Sequence, residues 1–562
     1  EEGSYHSDEN GIMRAGAYLF DWNTFDRITD IFKNAGALQY FYAPGSYLKR
    51  NDNDRMDLWV LEEVDGKMTR VAKPIYLDQA AGIVDPEIEE YVQVLFGALR
   101  AHIEEKYPEY LDKFYISAQD EPSKEVEIQA ANWFYSTVKK AYPESMSNEA
   151  HSRFITGLTE TSTLCPVLDI YEDNQEFYQE QRAKGKELWF YTCIGPQGEY
   201  LNRFIPYHLV KTRLIPWYVK KIGASGYLHW GYCWWRTSDT FDSVQTGDEW
   251  LVRPDVENYD VFSSVRNEAQ LDGIEDYELI ALLEKQDADA AAKIVDTMIT
   301  SATVYTRDGE SAQEAHKALL DLLTGEEADP VAVPIFSENF SSGFDSAWSR
   351  LSGSWSVKEN GYFFAGAGSN NEGMSALKGW TLKNGKIEMT MEIGDTFGND
   401  DTMWGGITFR KNGEKDTMWQ SGYTLYLRKN GQMEFIKTQP FAVLGQAKVS
   451  KAGKVTLEIS MNGDKLEIFE KGNENPLISV RDDSFLDGYI SLIGMGADIT
   501  YSAITLYSYD GSVTPPDNTE LIKDQSYKER FEGNTEEILK YFAVTGNAFA
   551  EDCTLQTEEA QV

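Results

Sequence analysis

Cysteine is scarce: the 562 residues include only 4, Cys165, Cys193, Cys233 and Cys553, with no CxxC spacing. That density excludes a disulfide framework and leaves buried thiols as the simplest reading, with room for one bridge. Histidine is scarce too, 6 in all, and no HExxH pair occurs. The chain also lacks a GxGxxG turn, a Walker-type loop and a GxSxG elbow, so zinc hydrolysis, dinucleotide chemistry and triad chemistry have no motif to rest on. No run approaches ~18 apolar residues, and no membrane-spanning helix is expected. Positive charge is short as well, with 52 Lys and Arg against 92 Asp and Glu, a formal net charge of -40. Such a surface repels phosphate backbones and anionic lipid, which excludes nucleic acid and membrane insertion but does not penalise a neutral ligand such as a sugar. The N-terminal Glu1-Glu2-Gly3-Ser4 has none of the basic and apolar character of a signal segment. An export signal is therefore expected to have been removed or to lie outside this sequence, and a secreted or cell-surface location is expected.

What the chain does have is apolar bulk, 42% hydrophobic residues with 32 Tyr, 27 Phe and 14 Trp, enough to build several packed domains. Up to about residue 325, short β-type runs alternate with longer amphipathic stretches. The strand candidates are 17–20, 38–43, 113–118, 146–150, 167–172, 187–193 and 226–232. Helical stretches at 86–107, 122–141 and 206–222, each opening on a proline, separate several of them. This pattern predicts a (β/α)8-type barrel over residues 1–325, possibly incomplete at its N-terminus, with a helical appendage at 288–302 and 311–323. A linker at 326–335 follows, and then the period changes to two, as in Lys386-Ile387-Glu388-Met389-Thr390-Met391-Glu392. An antiparallel β-sandwich is expected over 336–510. A second linker occupies 511–522, and 523–562 reads as either the start of another sandwich or an acidic tail. The similar contexts of Glu338-Asn339-Phe340 and Glu529-Arg530-Phe531 favour the former.

In a (β/α)8 barrel the chemistry sits at the C-terminal ends of the strands. In order, those ends offer Tyr40 and Tyr42, Gln119-Asp120-Glu121-Pro122, Asn148 with Glu149, Tyr171-Glu172-Asp173, Tyr191, and Trp230 with Tyr232, Trp234 and Trp235. Carboxylates ringed by aromatics suit a sugar: ring faces stack on pyranose C–H groups while carboxylates bind hydroxyls or move protons. Asp-Glu occurs at Asp8-Glu9, Asp120-Glu121 and Asp248-Glu249, about the chance frequency for so acidic a chain. The position of Asp120-Glu121, closing a strand and preceding a proline, distinguishes it. Neighbouring carboxylates approach a scissile bond from one side, unlike the opposed pair of a conventional glycosidase. They fit a reaction in which one protonates the leaving oxygen and the other steadies a nucleophile supplied by the substrate, such as a 2-acetamido group. Two alternatives stay open: a conventional pair completed by Asp78, Glu172 or Asp173, and a carbohydrate-binding protein without catalysis.

The stretch Phe20-Asp21-Trp22-Asn23-Thr24-Phe25-Asp26-Arg27, the 84–107 helix and the segment 113–122 resemble the catalytic domain of glycoside hydrolase family 123. So do Glu187-Leu188-Trp189-Phe190-Tyr191-Thr192-Cys193, Gly226-Tyr227-Leu228-His229-Trp230-Gly231 and Gly247-Asp248-Glu249-Trp250-Leu251-Val252-Arg253-Pro254. Ser264-Val265-Arg266 and Asp272-Gly273-Ile274-Glu275-Asp276-Tyr277-Glu278 continue the likeness, which runs in matching order over about residues 15–285. The family's catalytic domain usually follows an N-terminal sandwich, and this chain is expected to begin inside that domain. The resemblance implies an exo-acting β-N-acetylgalactosaminidase working through an oxazoline on a glycan with a terminal 2-acetamido sugar. On this chain Glu121 would be the general acid/base, and an ionised Asp120 would orient the acetamide. Tyr191 would hydrogen-bond the acetamide carbonyl, and Trp230, Trp234, Trp235, Tyr42 and Tyr171 would complete the substrate pocket. Here Pro122 follows the acidic pair directly, where the family often has Arg-Pro. The later sandwich looks like a laminin-G or concanavalin-type jelly roll. Its Trp348, Trp355, Trp404, Trp419 and Tyr423 are expected mostly in its core. No cofactor is expected, although the acidic turn Asn399-Asp400-Asp401 is a candidate for a structural Ca²⁺ against an ordinary solvated turn.

Overall fold

The computed structural model describes residues 12–15, 18–43, 47–235, 247–325 and 328–509 except 342, 344, 359–360 and 451–452, together with 513–514, 545–551 and 554–561. It divides into two compact units, Glu1–Pro334 and Ile335–Val562.

The first unit is built on a 6-stranded sheet. From one edge to the other its strands are Phe41–Ala43, Phe114–Ile116, Met146–His151, Thr163–Pro166, Glu187–Thr192 and Gly226–His229, every neighbour parallel. Chain order equals spatial order, the winding of a barrel wall, and the described residues close about half of one. Two expected strands fall elsewhere. Tyr18–Asp21 pairs antiparallel with Ile12–Ala15, outside the parallel sheet. The run expected as a strand at 167–172 is the helix Leu168–Asp173, and the strand is the fully buried Thr163–Pro166 just before it. A short apolar run has no periodicity to separate a buried strand from a buried helix, which is why the reading slipped by one element.

Between the first two parallel strands the chain inserts a three-stranded antiparallel meander, Leu48–Arg50, Met56–Val64 and Lys67–Pro74. Its tight hairpin turns on Asp65-Gly66, with φ of 52° and 75°. That dipeptide supports the left-handed pair a two-residue hairpin requires. Helices cover the sheet. Pro86–Lys106 starts with proline after Asp85, whose side chain accepts the Glu87 N–H at 3.0 Å. Glu125–Ala141 lies beside it, and Leu209–Ile222 packs on Val265–Gln286. The last two helices touch where Gly273 faces the Arg213 carbonyl, 2.2 Å from where a Cβ would stand. Beside that contact the fully buried Asp276 accepts from Arg213 Nε at 2.7 Å, Trp217 Nε1 at 2.9 Å and His316 Nδ1 at 2.7 Å.

The second unit holds two 8-stranded antiparallel sheets around one core. Trp348, Trp355 and Tyr423 lie in that core, whereas Trp419 is exposed and donates to Glu372. Asp400 turns its carboxylate onto Thr402, accepting its N–H at 2.9 Å and its hydroxyl at 2.7 Å. Further along, Thr545–Glu551 pairs antiparallel with Thr554–Gln561. The linker residues 515–522, the Glu529-Arg530-Phe531 repeat and Cys553 lie outside the described residues.

Candidate active site

The strand Phe114–Ile116 runs on through buried Ser117, Ala118 and Gln119 to Asp120 and Glu121. Its end is fixed from both sides: Ala118 accepts the Leu48 N–H at 3.0 Å and donates its own N–H to Tyr135 Oη at 2.9 Å. Glu121 then takes a positive φ of 49° immediately before Pro122. Left-handed backbone is uncommon for a side chain with a Cβ, and the residue before proline is itself restricted. The turn carries the Glu121 carboxylate across two further strand ends. Its Oε1 accepts from the Tyr191 hydroxyl, at the end of Glu187–Thr192, and its Oε2 accepts from Ser152 Oγ at 2.8 Å.

Asp120 stays accessible to solvent, yet partial burial and the neighbouring Glu121 charge raise its carboxyl above the ordinary aspartate range. Asp120 also borders an open cleft of about 410 Å³ lined by Leu48, Lys49, Arg50, Trp59 and Arg70 of the meander together with Gln119 and Glu127. A larger cleft of about 480 Å³, between the meander and the Pro86–Lys106 helix, contains none of the expected site residues.

Beneath the pair lies a layer that sequence reasoning named only in passing. Glu149 is fully buried and accepts from the Tyr135 hydroxyl and from Ser117 Oγ at 3.3 Å. Burial nevertheless outweighs these donors and pushes its carboxyl up to about 8. Tyr135 Oη also lies 3.4 Å from the Asn148 carbonyl, so it has a second acceptor whenever Glu149 carries a proton. His151, two residues on, holds Glu149 O at 3.0 Å and Tyr178 Oη at 3.0 Å through its two ring nitrogens, and burial lowers it to about 4. The carbonyl contact fixes the neutral ring with its proton on Nδ1. Tyr42 is 38% exposed. Its hydroxyl titration is nonetheless raised, by burial first and then by Cys165 and Glu149.

A second carboxylate stands on the far side. Asp248, buried at 4% exposure, accepts from Trp230 Nε1 at 2.8 Å, and His229 Nε2 lies 3.2 Å from its other oxygen. Buried Arg266 ties down the segment that carries it, donating to the carbonyls of Arg203 at 2.6 Å, Gly247 at 2.8 Å and Trp250 at 2.8 Å. Burial raises the Cys193 thiol, and the charges of Asp248 and Glu121 both add to the rise. Trp230 and Trp234 are 46% and 59% exposed, with ring centroids 6.3 Å apart. Trp235 anchors itself through Nε1 to Val252 O at 2.8 Å.

Glu121 thus meets Tyr191 across two intervening strands, Tyr42 stands on the neighbouring strand Phe41–Ala43, and Trp230 is held by Asp248. Tyr171 does not join them. It lies on the Leu168–Asp173 helix, 1% exposed, accepts from Gln179 Nε2 at 3.0 Å and packs against Tyr178 and Tyr218, so it lines no pocket. Two of the three alternative carboxylates are committed elsewhere. Glu172 accepts from the Tyr218 hydroxyl and the Ala302 N–H, and Asp78 caps a turn by accepting the Ala81 N–H at 3.1 Å. Asp248 and Ser152 are the residues sequence reasoning missed. The first was visible as an acidic dipeptide inside Gly247-Asp248-Glu249-Trp250, and the second carried no signal at all. Among the described residues, no group of three or more His, Cys, Asp or Glu is placed to share a metal ion.

Residues 11–283 match the family model "Glycoside hydrolase 123, catalytic domain". This part of the chain belongs to glycoside hydrolase family 123. The two carboxylate groups and their aromatic surroundings thus lie within a glycoside hydrolase domain. No curated protein matches the chain. Similar solved structures include a carbohydrate binding module, CBM66, from Bacillus subtilis, at 18% identity and a TM-score of 0.24 over 28% of this chain and 92% of that one. A β-glucanase from Bacillus licheniformis, at 11% identity and a TM-score of 0.25, covers 31% of this chain and 97% of its own. A mixed-linkage glucan GH16 enzyme from Bacteroides ovatus, also at 11% and 0.25, covers 30% and 99%.

Proposed function

We propose that the family 123 domain is an exo-acting β-N-acetylgalactosaminidase that uses the acetamido group of its own substrate as nucleophile. The observation that carries this reading is Glu121, set by left-handed backbone beside Asp120 and touched on both oxygens by side chains from two other strand ends. With the terminal sugar seated there, the acetamide carbonyl oxygen attacks the anomeric carbon as the glycosidic bond breaks. The departing oxygen takes the proton from Glu121. Asp120, ionised, faces the acetamide N–H and stabilises the positive charge of the forming oxazolinium. Water then attacks the anomeric carbon, Glu121 takes its proton, and the acetamide is restored with net retention. Tyr191 donates to Glu121. On substrate arrival its hydroxyl turns to the acetamide carbonyl, where it sharpens the nucleophile's aim. Trp230 and Trp234 supply the apolar wall for the sugar face.

The test is a panel of aryl β-glycosides with and without the 2-acetamido group, run on the wild type and on Glu121→Ala. Turnover is expected only with the acetamido group. The variant is expected to lose orders of magnitude on poor leaving groups and much less on activated ones, and a thiazoline mimic is expected to inhibit. Cleavage of the 2-hydroxy sugars at similar rates overturns the substrate-assisted mechanism, and wild-type turnover of a natural glycan by Glu121→Ala overturns the assignment of Glu121.

A further inference from the structure

The parallel sheet parts along one seam, directly before the acid pair. Strands Phe114–Ile116 and Met146–His151 pair only at Tyr115 with Met146 and at Ile116 with Ser147. Beyond that point each keeps its other neighbour. On one side Ser117 donates its N–H to Ala43 O at 3.0 Å, and Ala118 O accepts from the Leu48 N–H at 3.0 Å. On the other side Met146–His151 stays in register with Thr163–Pro166 as far as His151. Carried on by two residues, the broken register sets Ala118 beside Glu149, so the Ala118 N–H is turned toward a strand that has drawn away. A hydroxyl stands in the gap. Tyr135 Oη, from the helix Glu125–Ala141, accepts the Ala118 N–H at 2.9 Å, lies 3.4 Å from the Asn148 carbonyl and meets the Glu149 carboxyl. Ser117 Oγ adds a second tie, 3.1 Å from Gln119 O and 3.3 Å from Glu149 Oε1. The Glu121 carboxylate then spans the same two strands to reach Ser152 Oγ at 2.8 Å.

We infer that Tyr135 is a positioning residue for the reaction: its hydroxyl, held by Glu149, replaces the missing ladder bond and sets the strand end from which Asp120 and Glu121 reach the substrate. The inference rests on the glycosidase reading above for what the pair does, and adds the buried group that places it. Tyr135 and Glu149 are 1% and 0% exposed, so both act through the backbone and neither meets the sugar. A hydroxyl accepts two hydrogen bonds and donates one, and these sites balance when Glu149 carries a proton. The Ala118 N–H and the Glu149 O–H then donate to Tyr135 Oη, and the Tyr135 O–H donates to Asn148 O. A glutamine at 149 can make the same donation through its amide. A phenylalanine at 135 leaves the Ala118 N–H facing an empty gap, and the segment that carries the acid pair loses its backbone anchor on that side.

The experiment compares the wild type with Tyr135→Phe, Glu149→Leu and Glu149→Gln in two ways. The first is kcat/KM on two aryl β-N-acetylgalactosaminides, one with a poor leaving group and one with an activated one. The second is hydrogen–deuterium exchange of the peptide covering residues 117–121, with that of Glu187–Thr192 as the internal reference. A displaced Glu121 is felt most where the departing oxygen needs a proton. Tyr135→Phe is therefore expected to lose about 10²-fold on the poor leaving group and no more than about tenfold on the activated one, with faster exchange at 117–121 alone. A merely structural defect lowers the folded fraction and takes the same factor from both substrates. Glu149→Leu, which fills the space without a hydrogen bond, is expected to repeat the split, and Glu149→Gln to restore most of the wild-type rate on both substrates. An equal loss on the two substrates in Tyr135→Phe, no loss, or unchanged exchange at 117–121 overturns the role of Tyr135. The same split in Glu149→Gln overturns the part given to the Glu149 proton. Should the wild type cleave neither substrate, the glycosidase reading fails and the exchange decides alone: faster exchange in Tyr135→Phe upholds the placing of the segment, and unchanged exchange removes it.

Discussion

Glu149→Gln replaces a buried acid with the neutral side chain closest in shape to its protonated form, and its effect on stability should depend on pH. In the unfolded chain Glu149 ionises near its ordinary 4.5, whereas the folded chain holds the proton up to about 8. Between those values the folded state binds more protons, so stability falls as pH rises and the loss is complete above about 8. At ~1.4 kcal/mol for each pH unit in that window, the ceiling is ~5 kcal/mol, and structural relaxation should leave about 2 kcal/mol of it measurable. The variant lacks this loss. His151 and His229 act in the opposite sense: burial lowers both to about 4, so their contribution is full above the ordinary 6.5 and is lost as pH falls toward 4. Their slope is common to both proteins and cancels in the comparison. Denaturant unfolding of the first unit, followed at pH 5, 6, 7 and 8, should therefore show near-equal stability at pH 5 and a steadily more stable Glu149→Gln at pH 8. Parallel stability curves for the two proteins across that range would refute the reasoning, because they would mean that Glu149 is ionised in the fold or that its proton is not held by burial.

Two other expectations follow from the same geometry. Tyr191→Phe removes the hydroxyl that meets Glu121 and should cost about 10²-fold in kcat/KM on 2-acetamido glycosides; unchanged turnover would take Tyr191 out of the site. Gly273→Ala puts a Cβ 2.2 Å from the Arg213 carbonyl and should lower stability by about 1–3 kcal/mol, read as a drop in denaturation midpoint, since backbone faces backbone there and the helices must separate. An unchanged midpoint would mean that the helix contact is looser than it stands.

The parallel sheet was legible where strands were separated by long amphipathic helices, because a change of period marks both ends of such a helix. It was illegible at 163–173, where a strand and a helix adjoin in one dense apolar stretch and Pro166 is the only punctuation. Tyr171 was misplaced with it. The meander is masked by the strand–helix alternation around it, although Asp65-Gly66 announces its hairpin. The placement of Asp120 and Glu121 just past a strand and before a proline was legible, since a strand end before a proline is a recognisable place. Asp248 was hidden by its own frequency: in a chain with 92 acidic residues an Asp-Glu pair means little until folding buries it against Trp230 and His229. Glu149 shows the same limit, for burial and partners, not residue type, are what hold its proton.

The left-handed turn at residue 121 has a bearing on protein engineering. A glutamate held at φ 49° before a proline is less comfortable there than glycine would be, by about 1 kcal/mol. A random library of this chain selected only for heat resistance would be drawn to that position, and Glu121→Gly would be among its winners. Under the mechanism proposed above, such a selection would harvest robust molecules that no longer cut anything, so any campaign to harden this enzyme must score turnover in the same round as survival.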